Sequence, residues 1–289
     1  MRVKNFTRSK RSSPLQLRID LYHRTWRARN IVYVTCIRRI SVLFFTGKFI
    51  FYGGLKWRLF LGIATYDHYF DEAFFATKPG FEELEKDILE YTTTTFSNEN
   101  GLGIVVNDKD THTLDLLRSK KFVENDLTEN ILELTLQNVS LDYVNPKGVI
   151  LKNMDVNNDL FKYQKLLWKG FNHEGPVPED EITIDKKKIM LSARNMNSFL
   201  HIVAENEDGA YVAYCGLWYS QKTDYVYVEP VCTIPEYRQK GLGKAVVLEA
   251  LKRGRSLGAE KAYVISDSSF YKSLGFQQHS HYTFYWHNI

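Results

Sequence analysis

Apolar and polar positions along this chain switch repeatedly between a strand period and a helix period. Residues 1–13 are polar and basic and read as a tail. Leu17, Leu21 and Trp26 mark a weak helix across residues 15–29. From Ile31 to Tyr69 the chain is rich in Val, Ile, Phe and Tyr, broken at Thr46-Gly47 and Gly53-Gly54, which predicts two or three antiparallel strands. After Pro79-Gly80, apolar residues at Phe81, Leu84, Ile88, Leu89 and Tyr91 fit a helix over 81–92. A short strand at Gly103–Val106, a helix at Thr113–Lys120 and a strand from Phe122 through Leu136 complete the first half.

The second half has a similar rhythm. A strand around Ile150 precedes a helix over Asp155–Gly170, capped by Asp155 or Asn157, with Leu160, Tyr163, Leu166 and Leu167 on one face. A loop at 171–178 and a helix at 184–193 follow. Three strands are predicted at 199–205, 210–220 and 225–234, with turns at Asp208-Gly209 and Gln221–Asp224. A glycine-broken turn then opens an apolar helix over 245–257, followed by a strand at 261–265, a short helix at Phe270 and a last strand at 283–286.

The turn Arg238-Gln239-Lys240-Gly241-Leu242-Gly243-Lys244 carries the chemistry. A strand feeding a glycine turn into a helix start exposes unpaired N–H groups at the positive end of the helix dipole, a natural anion cradle. Gly241 and Gly243 permit close approach, and the basic residues add charge. Ala245 after Lys244 excludes a Walker A loop, and Val246 excludes the dinucleotide fingerprint. The segment Val231-Cys232-Thr233-Ile234-Pro235-Glu236-Tyr237-Arg238 running into Gly241-Leu242-Gly243 resembles the acyl-CoA-binding motif of the GNAT acetyltransferase superfamily. Further on, Phe270-Tyr271-Lys272-Ser273-Leu274-Gly275-Phe276 resembles its second signature.

That resemblance implies an α/β (α+β) fold with a mixed, mostly antiparallel twisted sheet flanked by helices, covering residues 148–289. It also implies direct transfer of an acetyl group from acetyl-CoA to a primary amine in a ternary complex. Val231, Cys232 and Thr233 would face the thioester and pantetheine through backbone atoms. Arg238, Gln239, Lys240, Gly241, Leu242, Gly243 and Lys244 would hold the diphosphate, and Ser269 and Phe270 would pack along the cofactor. Tyr271 stands at the family's general-acid position, since a phenol near pKa 10 can donate to a thiolate whose conjugate acid lies near 8.5. Strand alternation puts Glu229 on one face with Val231 and Thr233, which makes it a candidate base or a solvated carboxylate. His173 and Glu174, in the loop on the acceptor side, are substrate-binding candidates or ordinary loop polars. The family's pantetheine-contacting Asn is replaced by Asp267-Ser268, which leaves that contact open.

The first half parallels the second at two places. Gly103–Asp108 matches Ala262–Asp267, and Leu116–Phe122 matches Phe270–Phe276, with Leu117 at the place of Tyr271 and Lys121 at that of Gly275. No glycine cradle precedes Phe81. The chain thus resembles bacterial tandem GNAT proteins with a degenerate N-terminal half. The expected division is a tail at 1–13, a degenerate GNAT-like domain at 14–137, a linker at 138–147 and a catalytic domain at 148–289.

Composition adds limits. Cys36, Cys215 and Cys232 lie far apart without metal-ligand or disulfide spacing, so neither a metal nor a disulfide framework is expected, and a cytoplasmic location is. Charges interrupt the longest apolar stretch, so no membrane span is expected. The net charge of +4 conceals eleven Lys and Arg against one acid in residues 1–39. The expected partner is a small-molecule or peptide amine, and nucleic acid is disfavoured. The rival readings are a non-catalytic acyl-CoA-binding or interaction module and an aminoacyl-tRNA-dependent transferase.

Overall fold

The structure is a computed structural model that describes residues 43–46, 60–66, 72–77, 79–192 and 196–288. The tail and the helix expected at 15–29 lie outside the described residues, as does most of the 31–59 stretch.

Among the described residues, eleven strands form one continuous sheet. In chain order they are β1 Leu43–Thr46, β2 Phe60–Tyr66, β3 Glu72–Thr77, β4 Leu102–Asn107, β5 Val123–Thr135, β6 Val149–Asn153, β7 Met196–Asn206, β8 Tyr211–Tyr219, β9 Tyr225–Thr233, β10 Lys261–Ile265 and β11 Gln277–His287. The helices are α1 Glu85–Phe96, α2 Thr111–Ser119, α3 Leu160–Gly170, α4 Glu181–Leu191, α5 Leu242–Ser256 and α6 Ser269–Ser273. The spatial order is β1-β2-β3-β4-β11-β5-β10-β9-β8-β7-β6.

Instead of one sheet per half, the last strands cross over. β5, from the first half, pairs antiparallel with β10, and β11, from the second, pairs antiparallel with β4. β5 and β11 then pair with each other at the centre, through two irregularities in register. The two largest of four buried clusters among the described residues lie on this sheet. One gathers Ile88, Leu89, Phe96, Ile104 and Leu117 with Tyr285 of β11, and the other gathers Tyr163, Tyr214, Val246 and Leu251 with Leu132 and Leu134 of β5. Each half therefore places a strand in the other's core.

Local chemistry sets the element ends. Asp155 accepts from the N–H groups of Asn157 (2.9 Å) and Asn158 (3.1 Å), closing a turn, so α3 starts at Leu160, after Asp159, and not at 155. Asp180 accepts from Thr183 N–H at 2.9 Å and starts α4 earlier than apolar periodicity suggests. β11 begins at Gln277 and not at 283, because its polar run Gln277–His281 pairs with β5 before β4 joins on the other side at Tyr282.

Candidate active site

β9 and β10 are parallel neighbours only from Tyr225 to Tyr227, paired with Lys261 to Tyr263. Beyond Tyr227 the two strands splay and leave a notch open toward the end of β9. Ile234 N–H bonds Val212 O at 3.0 Å, so the amide of Cys232 also points toward β8. By alternation the amides of Val231 and Thr233 point the other way, into the notch.

The strand has an extra residue here. Val228 pairs with Leu217 and Val231 with Cys215, so Glu229 and Pro230 together face Gly216. Such a bulge reverses the side-chain alternation. The expectation that Glu229 shares a face with Val231 and Thr233 is therefore corrected. Glu229 accepts a hydrogen bond from the Tyr227 hydroxyl, on the face of Trp218, Tyr214 and Cys232. On this face Tyr214 packs against Tyr163 of α3, ring centroids 4.9 Å apart. On the opposite face Leu217 and Val226 lie against Gly254 of α5.

The cradle follows. A 3-10 turn at Pro235–Tyr237 leads into Gln239 and Gly241, both in left-handed conformations at φ 59° and 83°. A Cβ on Gly241 would meet nothing within 4 Å, so the position asks for glycine on account of its backbone angle. Gly243 is different. A Cβ there would lie 3.4 Å from Thr233 Oγ1 and 3.6 Å from the Phe270 ring, so its bareness keeps open the gap between strand end, helix start and α6. The first intrahelical bond is Ala245 N–H to Gly241 O at 3.0 Å, and Gly241 offers no side-chain cap. The N–H groups of Leu242, Gly243 and Lys244 thus have no helical acceptor.

The basic residues divide. Arg238 donates through Nε to Thr233 O (3.0 Å) and through Nη2 to Gly170 O and Asn172 Oδ1, both 2.9 Å. Its own N–H bonds Pro235 O at 3.2 Å. Through Nε and Nη2 this arginine therefore ties the end of α3 to the turn. Lys240 rests over the Tyr237 ring at 4.9 Å and, like Gln239 and Lys244, is exposed around the cradle.

Ser268 caps α6 by accepting from Phe270 N–H at 3.2 Å, Ser269 opens the helix, and Phe270 packs edge-on against Tyr271, centroids 5.0 Å apart. Among the described residues nothing hydrogen-bonds the Tyr271 hydroxyl. Burial holds its pKa well above that of a free phenol, and the negative charges that Cys215, Glu229 and Cys232 would carry push it further up. Tyr271 thus stays protonated and stands near these groups of β8 and β9. Glu229 lies on the face that carries α3.

Cys232 points toward α3, where its sulfur lies 4.0 Å from Leu166 O, and burial pushes its thiol up to about 12. Its side chain is a buried neutral thiol, unsuited to accept an acyl group. His173 stacks on Trp168 at 4.6 Å, and Trp168 Nε1 donates to Gly175 O at 3.2 Å, which folds the loop after α3 back on its own helix. Glu174 is exposed in that loop. Sequence reasoning missed Asn172, whose side chain holds Arg238, and Asn130, which bonds Asp267. Neither has a local signal, since each meets a partner far along the chain.

Among the described residues no group of His, Cys, Asp and Glu could hold a metal ion, and no helix is long and apolar enough to cross a membrane. A comparison with curated protein sequences gives no match. Residues 160–276 match the model of the "Acetyltransferase (GNAT) family". Among solved structures, a GCN5-related N-acetyltransferase from Sphaerobacter thermophilus superposes with a TM-score of 0.61 at 13% identity, over 78% of this chain and 76% of that one. A tandem GNAT protein from the clavulanic acid biosynthesis pathway, solved without AcCoA, gives 0.59 at 13% identity, over 78% of each chain. A GCN5-related N-acetyltransferase from Kribbella flavida gives 0.54 at 15% identity, over 78% and 86%. This chain therefore has a GNAT-like fold, and its residues 160–276 are similar to the GNAT acetyltransferase family.

Proposed function

We propose that the chain is an acetyl-CoA-dependent N-acetyltransferase whose second half, residues 148–289, holds the working site. The observation that carries this reading is the bare helix start at Gly241–Lys244 beside a notch flanked by Glu229 and Tyr271. Acetyl-CoA supplies an activated acyl thioester. The free N–H groups of Leu242, Gly243 and Lys244, with the helix dipole behind them, take the diphosphate, while Lys240 and Lys244 add charge from the rim. The amides of Val231 and Thr233 line the notch for the pantetheine arm and the thioester oxygen.

The two faces of the notch divide the proton work. An acceptor amine enters on the face of Trp218, Tyr227 and Glu229, beneath the loop of His173 and Glu174. A primary amine with a pKa near that of lysine, about 10, is protonated at neutral pH. The Glu229 carboxylate, held by the Tyr227 hydroxyl, takes its proton directly or through water. The amine nitrogen then bonds to the acyl carbon as the carbon–sulfur bond breaks, and the electron pair leaves on sulfur. Tyr271, kept protonated by burial, donates to that thiolate. Transfer is direct, because Cys232 is buried against α3.

We read the first half as a degenerate repeat of the second, with division points at 14–137, 138–147 and 148–289 and a cytoplasmic location. The matching turns support this. Phe276 N–H bonds Tyr271 O at 3.2 Å with Gly275 at φ 95°, and Phe122 N–H bonds Leu117 O at 3.0 Å with Lys121 at φ 62°. The test is a calorimetric titration with coenzyme A, followed by a screen of amines with acetyl-CoA that reads free thiol. Binding with thiol release supports the reading. Absence of coenzyme A binding overturns it. Binding with no effect of Glu229→Gln or Tyr271→Phe on turnover indicates a non-catalytic acyl-CoA-binding module.

A further inference from the structure

The helix that carries Phe270 and Tyr271 is short. α6 has five residues, and only the half-buried Phe270 and Tyr271 pack against the core, so what anchors its two ends also sets where these rings lie. Downstream, Leu274 and Phe276 enter the core. Upstream, the loop Ser266–Ser268 has its anchor in the other half of the chain.

That anchor is Asn130 of β5. Its carbonyl oxygen accepts from Ser266 N–H at 2.9 Å. Its side-chain Nδ2 donates to the Asp267 carboxylate across 137 positions of sequence. Its Oδ1 accepts from Gln278 Nε2 at 2.7 Å, at the start of β11. One half-buried asparagine thus holds the main chain and the side chain on the upstream side of α6 and the strand that leaves it. Asp267 is followed by Ser268, which caps α6, and then by the Phe270 ring that closes on Gly243. A displacement of the loop would carry Phe270 and Tyr271 with it.

We propose that Asn130 is a positioning residue for the site: the first half supplies, through β5, the anchor that sets Phe270 and Tyr271 against the cradle of the second half. The inference rests on the coenzyme A-binding reading above. It gives the first half a task at the site although its own helix start has no cradle. It also gives Asp267 a task, as the acceptor of a bond across the two halves.

The bond can be broken and rebuilt with its polarity reversed. Asn130→Asp sets two carboxylates against each other. Adding Asp267→Asn restores a donor and an acceptor, and the new carboxylate on β5 can still accept from Gln278. Coenzyme A affinity is measured by calorimetry on the full-length protein, with the thermal midpoint of each variant alongside. Asn130→Asp is expected to weaken binding about tenfold, the worth of one charge-assisted hydrogen bond. The double variant is expected to return to within about threefold of wild type, and Asp267→Asn alone to stay close to it, since two amides still pair. Recovery of affinity by the double variant separates positioning from general loss of stability. Unaltered binding by Asn130→Asp, or a folded double variant that fails to recover, overturns the proposal and leaves the functional reading intact. If Asn130→Asp does not fold, the double variant alone decides, by the same threefold criterion. A wild-type protein without affinity for coenzyme A overturns both.

Discussion

The helix starts of the two halves differ in what fills the space in front of them. At α5 three elements meet around a bare glycine: Thr233 at the end of β9, Gly243 at the helix start and Phe270 on α6. At α1 the equivalent three elements meet around a carboxylate. Glu85, the first residue of α1, is buried and accepts from Thr77 Oγ1 at the end of β3 (3.0 Å) and from Thr113 Oγ1 on α2 (3.1 Å). His112 Nδ1 lies 2.9 Å from the same carboxylate. One turn earlier, Glu82 accepts from Gly80 N–H at 2.9 Å, where the second half has an uncapped glycine and two exposed lysines. β3 and β4 also part after two parallel pairs, as β9 and β10 part after three. The frame is similar, but one notch is closed by an internal carboxylate, whereas the other holds a bare glycine. A helix start favours negative charge from whichever source supplies it.

The most disruptive way to test the comparison is to separate the halves. Residues 148–289 alone lack β5, which packs Leu132 and Leu134 into their core and pairs with β10. We expect this fragment not to give a cooperative unfolding transition by circular dichroism, whereas the full chain does. Installing the plug of the first half in the second is the next largest change. Gly243→Glu is expected to lower coenzyme A affinity at least about a hundredfold by placing a carboxylate in the diphosphate position, with the fold retained; Gly243→Ala, which meets only ordinary contacts, should cost a few-fold at most. Tyr271→Phe should leave coenzyme A binding unchanged and lower kcat roughly a hundredfold, the usual worth of a positioned acid, as read by thiol release with an accepting amine.

Removing the plug from the first half acts on stability instead. Glu85→Ala leaves the buried hydroxyl of Thr77 without its acceptor, while that of Thr113 keeps Asp110 Oδ2 at 2.8 Å, and should cost about 1–3 kcal/mol, measured by denaturant unfolding, with coenzyme A binding unaltered. The smallest effect belongs to His112. Glu85 raises its pKa above the ordinary histidine value of about 6.5. The folded state therefore binds that proton more tightly. The stabilisation is fully present below about pH 6.5 and is lost as the pH rises through the raised folded value. The stability difference between wild type and His112→Ala should shrink in that direction, and only slightly, because the side chain is 60% exposed.

Much of this molecule could be read from neighbouring residues. The glycine turn with its apolar helix, the three strands before it and the Phe-Tyr segment after it were legible because turn chemistry and side-chain periodicity act over a few positions. The helix starts at Leu160 and Glu181 were misjudged locally, where Asp155 closes a turn instead of capping and Asp180 caps where periodicity is weak.

What the tertiary structure alone decided is which distant groups meet. Alternation cannot reveal that β9 bulges opposite Gly216, yet that single extra residue moves Glu229 to the face of Tyr227 and Trp218. Charge in the turn does not show that Arg238 is tied to Gly170 and Asn172. The exchange of β5 and β11 between the halves, and with it the meeting of Asn130 and Asp267, has no trace in either strand's own pattern. Local order follows from backbone preferences that every short segment carries by itself. Strand pairing and buried hydrogen bonds are choices among many distant partners, made only when the whole sheet closes on its cores.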